Sequence, residues 1–315
     1  MKLHGIHHIT AIAGDPQRNL DFYAGILGLR LVKRTVNFDD PGTYHFYFGD
    51  RIGHPGTIIT FFPWPNALRG RIGTGQVVAT SYAIGPGATE YWSRRLKEHN
   101  VAVETSGLRF GQPFIRFHDP DGLALELIES NSAPHGDRWE ESPVAAEFSL
   151  QQFHSPSLCS DDREATTRLL TTLFGFAVAG NEEGRTRLSL SQESTDQQVD
   201  LVDVPGKTPG HVAAGTVHHI AFRAADQDEQ EKWRSRLYEA GLHATPIIDR
   251  QYFHSVYFRE PGGILFEIAT DGPGFATDEP ENQLGENLRL PPQYENYRKS
   301  IEESLPVISL PHNSR

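Results

Sequence analysis

Phe258-Arg-Glu-Pro-Gly-Gly-Ile-Leu-Phe-Glu267-Ile268 aligns without a gap on Phe117-His-Asp-Pro-Asp-Gly-Leu-Ala-Leu-Glu126-Leu127. In each stretch an apolar strand meets a Pro/Gly turn, and a second strand returns carrying a glutamate, which reads as a β-hairpin. An amphipathic helix precedes each hairpin. Asp226 to Ala240 places Trp233, Leu237 and Ala240 on one face, with Gly241 as a stop. Thr89 to Glu98 does the same with Trp92 and Leu96.

Two weaker copies extend the pattern. Asp15 and Pro16 supply an N-cap and an N1 proline for a helix running through Leu20, Tyr23 and Leu27 to Gly28. Strands follow near Tyr44-His-Phe-Tyr-Phe48 and Thr57-Ile-Ile-Thr60. Ser160 to Phe174 repeats the helix, ending at Gly175, with strands near Arg187 and Val199. Module starts near residues 6, 78, 150 and 216 give a period of roughly seventy residues. Each unit reads β-α-β-β-β, which predicts an α+β fold of four modules. One such unit cannot bury its sheet face alone, so the modules pair. The expected organisation is 1–130 as N-terminal paired modules, 131–145 as linker and 146–271 as C-terminal paired modules. Residues 272–315 are expected as an irregular tail with a short helix near Tyr297 to Glu303.

The composition narrows the class of function. A chain of 315 residues, 37% apolar and 22% charged, can build two ordinary cores. A net charge of -12 argues against nucleic acid or an anionic membrane as partner, since both need a basic footprint. One cysteine, Cys159, excludes an intramolecular disulfide framework and fits a reducing compartment. No signal-like N-terminus or bilayer-length apolar run is visible, so a cytoplasmic, soluble protein is expected.

Each module has two special positions, the start of its first strand and the end of its last. Module one offers His8 and Thr60, and module two offers Ser81 or a neighbour with Glu126. Module three offers His154 or Ser155 with a position near Asp200, and module four offers His219 and Glu267. Only modules one and four together supply two histidines and a carboxylate. That donor set matches the facial triad of non-haem Fe(II), which leaves positions open for substrate and O₂. Strand alternation turns His8 inward with Ile6 and Thr10, and His219 with Ala221. His7 and His218 then face away as supporting groups. Against this stands the ordinary reading of a strand histidine as a packed core residue. Glu126, whose module lacks the histidine, reads as a solvent-facing strand residue.

At these residues the sequence resembles the vicinal oxygen chelate superfamily, which includes glyoxalase I, ring-cleaving dioxygenases and antibiotic-resistance proteins. It is most similar to the hydroquinone-type ring-cleaving dioxygenases, over nearly the whole chain. The resemblance is carried by Gly5-Ile-His-His-Ile-Thr-Ala-Ile12 and by Gly28-Leu-Arg-Leu-Val-Lys-Arg-Thr-Val-Asn-Phe-Asp-Asp-Pro-Gly-Thr-Tyr44. Gly215-Thr-Val-His-His-Ile-Ala221, Asp249-Arg-Gln-Tyr-Phe253 and Tyr257 through Asp271 complete it. It implies two vicinal-oxygen-chelate domains of paired βαβββ modules, with a metal between modules one and four on His8, His219 and Glu267. It also implies that Arg250 and Tyr257 lie near the substrate.

The chemistry implied is cleavage of a hydroquinone or catechol by O₂ on Fe(II), with Mn(II) as the alternative metal. Tyr257 either donates a hydrogen bond to substrate or is an ordinary strand tyrosine. Arg250 either offers fixed charge to a phenolate or forms a solvent-facing ion pair. His7, His218 and His254 are acid–base or supporting candidates, and Thr10 is a small hydrogen-bonding neighbour. Phe46, Phe48 and Phe253 are either pocket walls or core. The competing functions are a glyoxalase-like metal-dependent lyase or isomerase and a non-catalytic aromatic- or drug-binding protein. The lyase would want a fourth ligand where Thr60 stands. A homo-oligomer formed through sheet edges is compatible with the pattern.

Overall fold

The computed structural model describes residues 1–132, 136–182, 184–191, 194–203 and 208–310. Four strands arise from each module. Module one gives β1 (Ile6–Ala13), β2 (Arg30–Val36), β3 (Tyr44–Gly49) and β4 (Ile58–Pro63). Module two gives β5 (Gln76–Ile84), β6 (Val103–Arg109), β7 (Gln112–His118) and β8 (Ala124–Glu129). Module three gives β9 (Ser157–Cys159), β10 (Ala177–Glu182), β11 (Arg185–Ser189) and β12 (Gln198–Leu201). Module four gives β13 (Thr216–Ala224), β14 (Ile248–Asp249), β15 (Phe253–Arg259) and β16 (Leu265–Pro273). The βαβββ reading of the repeat therefore holds throughout.

The strands form two curled eight-stranded sheets, ordered β14-β15-β16-β13-β1-β4-β3-β2 and β10-β11-β12-β9-β5-β8-β7-β6. Module one shares a sheet with module four, and module two with module three. Pairing within each half of the chain, one with two and three with four, is corrected by this order. Each sheet takes one module from either side of the 131–145 segment, part of which (133–135) lies outside the described residues. The physical reason is that a module's first strand pairs in parallel with its own last strand, as β1 does with β4 and β13 with β16. Its other edge stays unpaired and must find a partner. All four first strands present that same edge, so the repeat defines the module without choosing its mate. The antiparallel pairs β1·β13 and β5·β9 make the choice.

Helices cover the outer faces. α1 (Pro16–Leu20) starts at the Asp15 cap, whose side chain accepts the Arg18 N–H, and continues as a π-helical stretch over Asp21–Ile26. α2 (Ala88–Glu98) buries Trp92 and Leu96. α3 (Arg163–Arg168) repeats the design of α1, and α4 (Gln227–Glu239), capped by Asp226, buries Trp233 and Leu237. Gly215 leads into β13 with φ +81, and a Cβ there would lie 2.1 Å from the Asp121 carbonyl oxygen, so only glycine fits. None of the described helices is long and apolar enough to cross a membrane.

The tail does more than trail over the surface. Its last described helix is α5 (Arg298–Ser304), one residue from the expected helix, and residues 311–315 lie outside the description. Before that, Asp278 and Glu279 each accept a 2.6 Å hydrogen bond from Lys33 Nζ, whose side chain is fully buried on β2. A buried ammonium needs such partners, so the tail is pinned to the outer strand of the first sheet.

Candidate metal centre

His8 comes from β1, His219 from β13 and Glu267 from β16, three neighbouring strands at the middle of the first sheet. His219 lies opposite Thr10, and Glu267 lies beside Ala221. All three side chains are buried. Their donor atoms converge. His8 Nε2 is 3.3 Å from His219 Nε2 and 3.3 Å from Glu267 Oε2, and His219 Nε2 is 2.9 Å from that same oxygen. Metal–ligand bonds of about 2.0–2.2 Å at right angles separate neighbouring donors by about 3 Å. These three distances bracket that value.

The hydrogen bonds around the triad decide which nitrogen faces the centre. The Thr270 carbonyl accepts from His7 Nε2 at 3.1 Å, so His7 Nδ1 is an acceptor and takes the His8 Nδ1 proton at 2.9 Å. His8 Nε2 is left with its lone pair pointing inward. His218 and His219 repeat the device, Nδ1 to Nδ1 at 2.7 Å. Ser255 Oγ donates to Glu267 Oε1 at 2.5 Å and fixes the carboxylate plane. Oε2, in contrast, is buried and receives no well-formed hydrogen bond. Two lone pairs and an orphaned carboxylate oxygen facing one another call for a cation between them, so the residues present fit a divalent metal.

Alternation alone misplaced the supporting histidines. Strand β1 steps from Ile6 opposite Phe222 to His8 opposite Ala221, leaving His7 as an extra residue. Strand β13 steps from His219 opposite Thr10 to Val217 opposite Ala11, leaving His218 extra. Both are β-bulges, which re-aim a side chain locally. His7 and His218 therefore flank the ligands instead of facing away from them. Replacing His218 by Phe removes the acceptor for His219 Nδ1–H, and divalent-metal affinity falls by about 10–100-fold. A competition titration against a chromophoric chelator reads this; unchanged affinity would show that the bond does not orient His219.

Burial sets the protonation of the surround. It pushes His7 well below the ordinary imidazole value, with His8 adding to the effect, and pushes His218 down to about 3 with help from His219. His219 is lowered by burial against the opposing pull of Glu267. Burial would raise the Glu267 carboxyl, but His8 and His219 hold it well below the usual range. The centre thus keeps Glu267 anionic, the form in which a carboxylate ligates a metal.

A cavity of about 360 Å³ opens over the triad. Among the residues lining it are Thr10, His218, Arg250, Phe253 and Tyr257. The Arg250 guanidinium lies 5.5 Å from the Tyr257 ring centroid. Burial works against its charge, yet Tyr257 and Asp39 hold its pKa above the ordinary value. Burial and Glu267 push the Tyr257 phenol up, so it stays a donor. His254 does not line the cavity. Phe46 and Phe48 belong to the core on the other side of β3, and Phe253 alone of the three aromatics forms a wall.

Sequence reasoning missed His45, Tyr47 and Ser255. Tyr47 OH donates to His45 Nδ1 at 2.9 Å, His45 Nε2 donates to Thr60 Oγ1 at 2.8 Å, and Thr60 bonds Thr10 at 3.0 Å. A chain of exchangeable protons thus runs along the cavity wall to Thr10, beside the ligand strand. The signal was present in Tyr44-His-Phe-Tyr-Phe48: once Phe46 and Phe48 are core, His45 and Tyr47 must face the site.

Comparison with known proteins bears on this geometry. The family model for the Glyoxalase/Bleomycin resistance protein/Dioxygenase superfamily matches residues 5–127 and 152–268. The provisionally named ring-cleaving dioxygenase MhqO of Bacillus subtilis is 48% identical over 305 residues, covering 96% of each chain. The chlorohydroquinone/hydroquinone 1,2-dioxygenase of Sphingobium indicum is 33% identical over 308 residues, covering 95% of each. The crystal structure of a provisionally named dioxygenase from Bacillus subtilis superposes with a TM-score of 0.94 at 47% identity, covering 99% of both chains.

Proposed function

Because the chain belongs to the Glyoxalase/Bleomycin resistance protein/Dioxygenase superfamily, we propose that it is a non-haem Fe(II)-dependent ring-cleaving dioxygenase acting on hydroquinone- or catechol-type aromatics. The observation that carries this reading is the triad His8, His219 and Glu267, whose two histidines line an aromatic-walled cavity, with no fourth His, Cys, Asp or Glu ligand among the described residues. A metal held by three residues on one side keeps positions for a substrate oxygen and for O₂. The cavity, at about 360 Å³, exceeds the roughly 150 Å³ that accommodates benzene, leaving room for a substituted single ring. The hydroquinone-cleaving relative supports the substrate class.

Fe(II), or Mn(II) in its place, would supply a common centre on which an ionised ring hydroxyl and O₂ meet and exchange electrons. The chain supplies everything else. Phe253 walls the ring and limits its approach. Arg250 offers a fixed positive charge to the phenolate, and Tyr257, held protonated, donates to an oxygen of the substrate. The Thr10–Thr60–His45–Tyr47 chain holds the Thr10 hydroxyl in place as a hydrogen-bonding partner for a substrate oxygen. His218 accepts from His219 at Nδ1, so its Nε2 carries a proton toward the cavity. Both atoms of O₂ end in the opened product, as a carboxylate and a second oxygen function.

The lyase reading loses support at Thr60. Its hydroxyl is engaged by His45 and Thr10 and is no carboxylate, so a fourth ligand is missing there. A small aromatic and O₂ are the partners of this reading, and a cytoplasmic location and a homo-oligomeric state extend it. The test is oxygen uptake by anaerobically iron-loaded protein across a panel of hydroquinones and catechols. We expect one O₂ consumed per ring opened, with loss of aromatic absorbance. No uptake with any member, together with isomerisation of a thiol adduct by the Zn- or Ni-loaded protein, would replace the dioxygenase by the lyase.

A further inference from the structure

Strand register makes the two half-barrels comparable position by position. Ser157 opposes Ala79 and neighbours Asp200, as Thr10 opposes His219 and neighbours Thr60. Ser81 sits beside Glu126, and Arg116 lies across from it, as Ala221 and Tyr257 do for Glu267. In the second half-barrel Ser155 and Ala79 thus stand where the ligands His8 and His219 stand in the first. The carboxylate is kept and both imidazoles are gone. Arginines have taken the surrounding places: Arg109 that of Arg250, Arg116 that of Tyr257, and Arg185 and Arg187 those of His45 and Tyr47.

The charges of this second site do not close. Arg109 grips Glu126 with two bonds, 2.5 and 3.0 Å, and Arg187 grips Asp200 with two, 2.8 and 2.9 Å. Each fully buried carboxylate is therefore matched by one bidentate guanidinium. Arg116, 3.7 Å from Glu126, and Arg185, 3.0 Å from Asp200, are surplus cations on the same two anions. Arg116 also meets Glu104, whose side chain is half exposed. The surplus pair lines a cavity of about 440 Å³ together with Arg71, Ser157 and Thr208. Its carboxylate, Asp203, is bonded to Arg163. Burial lowers the Arg185 guanidinium from its ordinary value, Asp200 opposes this and Arg109 adds to it. Excess cation in a concave, half-desolvated space within a chain of net charge -12 selects an anion.

We propose that the second half-barrel holds a binding site for a small organic carboxylate on Arg116, Arg185 and Arg71. The planar guanidinium fork suits a carboxylate bidentately, and a ring-opened acid is what the first half-barrel would release. That choice of anion rests on the dioxygenase reading, whereas the site itself does not.

The test titrates maleate and, separately, inorganic phosphate into metal-loaded wild type and into Glu267→Gln by calorimetry at constant ionic strength. Glu267→Gln removes the metal as a rival carboxylate acceptor. We expect one saturable maleate site in Glu267→Gln, weakened about tenfold or more by adding either Arg116→Gln or the exposed Arg71→Gln. Using both keeps the test open if one of them folds poorly. Absence of saturable maleate binding overturns the site, as does binding unchanged in both arginine variants. Phosphate binding tighter than maleate overturns the carboxylate assignment. Oxygen uptake intact without maleate binding sinks this site alone. Maleate binding in Glu267→Gln, with iron-loaded wild type consuming no oxygen on any hydroquinone or catechol, sinks the dioxygenase reading alone.

Discussion

Glu267→Gln abolishes divalent-metal binding and lowers oxygen uptake by more than about a thousandfold, while leaving the metal-free protein at least as stable as metal-free wild type. The two halves of this expectation come from the same atom. Oε2 is buried without a well-formed hydrogen bond, 2.9 and 3.3 Å from two imidazole nitrogens that carry lone pairs. With metal absent, only the imidazoles beside it hold the buried carboxylate in its charged form, whereas an amide of the same shape donates to those nitrogens without burying a charge. With metal present, the amide has lost the anion that balances a dication. Metal content by plasma emission and urea unfolding with and without metal read both halves. A variant that retains iron and full turnover would show that the centre lies elsewhere. A metal-free variant clearly less stable than wild type would show that Glu267 is a structural residue.

Arg109→Ala destabilises the protein by about 3–5 kcal/mol, toward the lower end if Arg116 closes on the vacated carboxylate. Glu126 is fully buried and takes two bonds from Arg109 and one of 2.8 Å from Ser81. Removing the guanidinium strands that charge. Replacing both partners by leucine is expected to cost far less than the single change, because a desolvated pair returns little net stability. Equilibrium urea unfolding of the two variants measures the contrast. Equal losses in both would mean that the arginine contributes through packing on Phe114, over which its guanidinium lies at 4.1 Å, rather than through charge. This network also corrects the sequence reading of Glu126 as a solvent-facing residue. Alternation in Leu125-Glu126-Leu127 marks which side the carboxylate is on, but not that the side is enclosed.

The site was readable where it depended on residue chemistry at repeated positions. Two histidine pairs and a glutamate at equivalent places in modules one and four named the triad, and the hairpin copies at Glu126 and Glu267 named the module. What stayed hidden depended on events that leave no mark in a strand. The bulges at His7 and His218 insert a residue without any Gly or Pro to announce them. The pairing of modules across the chain followed from backbone edges that all four copies share. Ser255 Oγ bonds Glu267 across β15 and β16, a contact that appears only once the register between those strands is fixed.

That crossing of the chain imposes an order on assembly. The second half-barrel is built from one continuous stretch, β5 through β12, and all of its strands exist once residue 201 has been made. The first needs both ends of the chain. His8 and His219 are 211 residues apart, which at about 5–20 residues per second is roughly 10–40 s of synthesis. Through that interval β1, with every residue buried in the finished protein, must wait beside the ribosome without its neighbour β13. The ion-paired half can close early, whereas the half that takes the metal closes last, so the centre cannot be completed until Glu267 has been made.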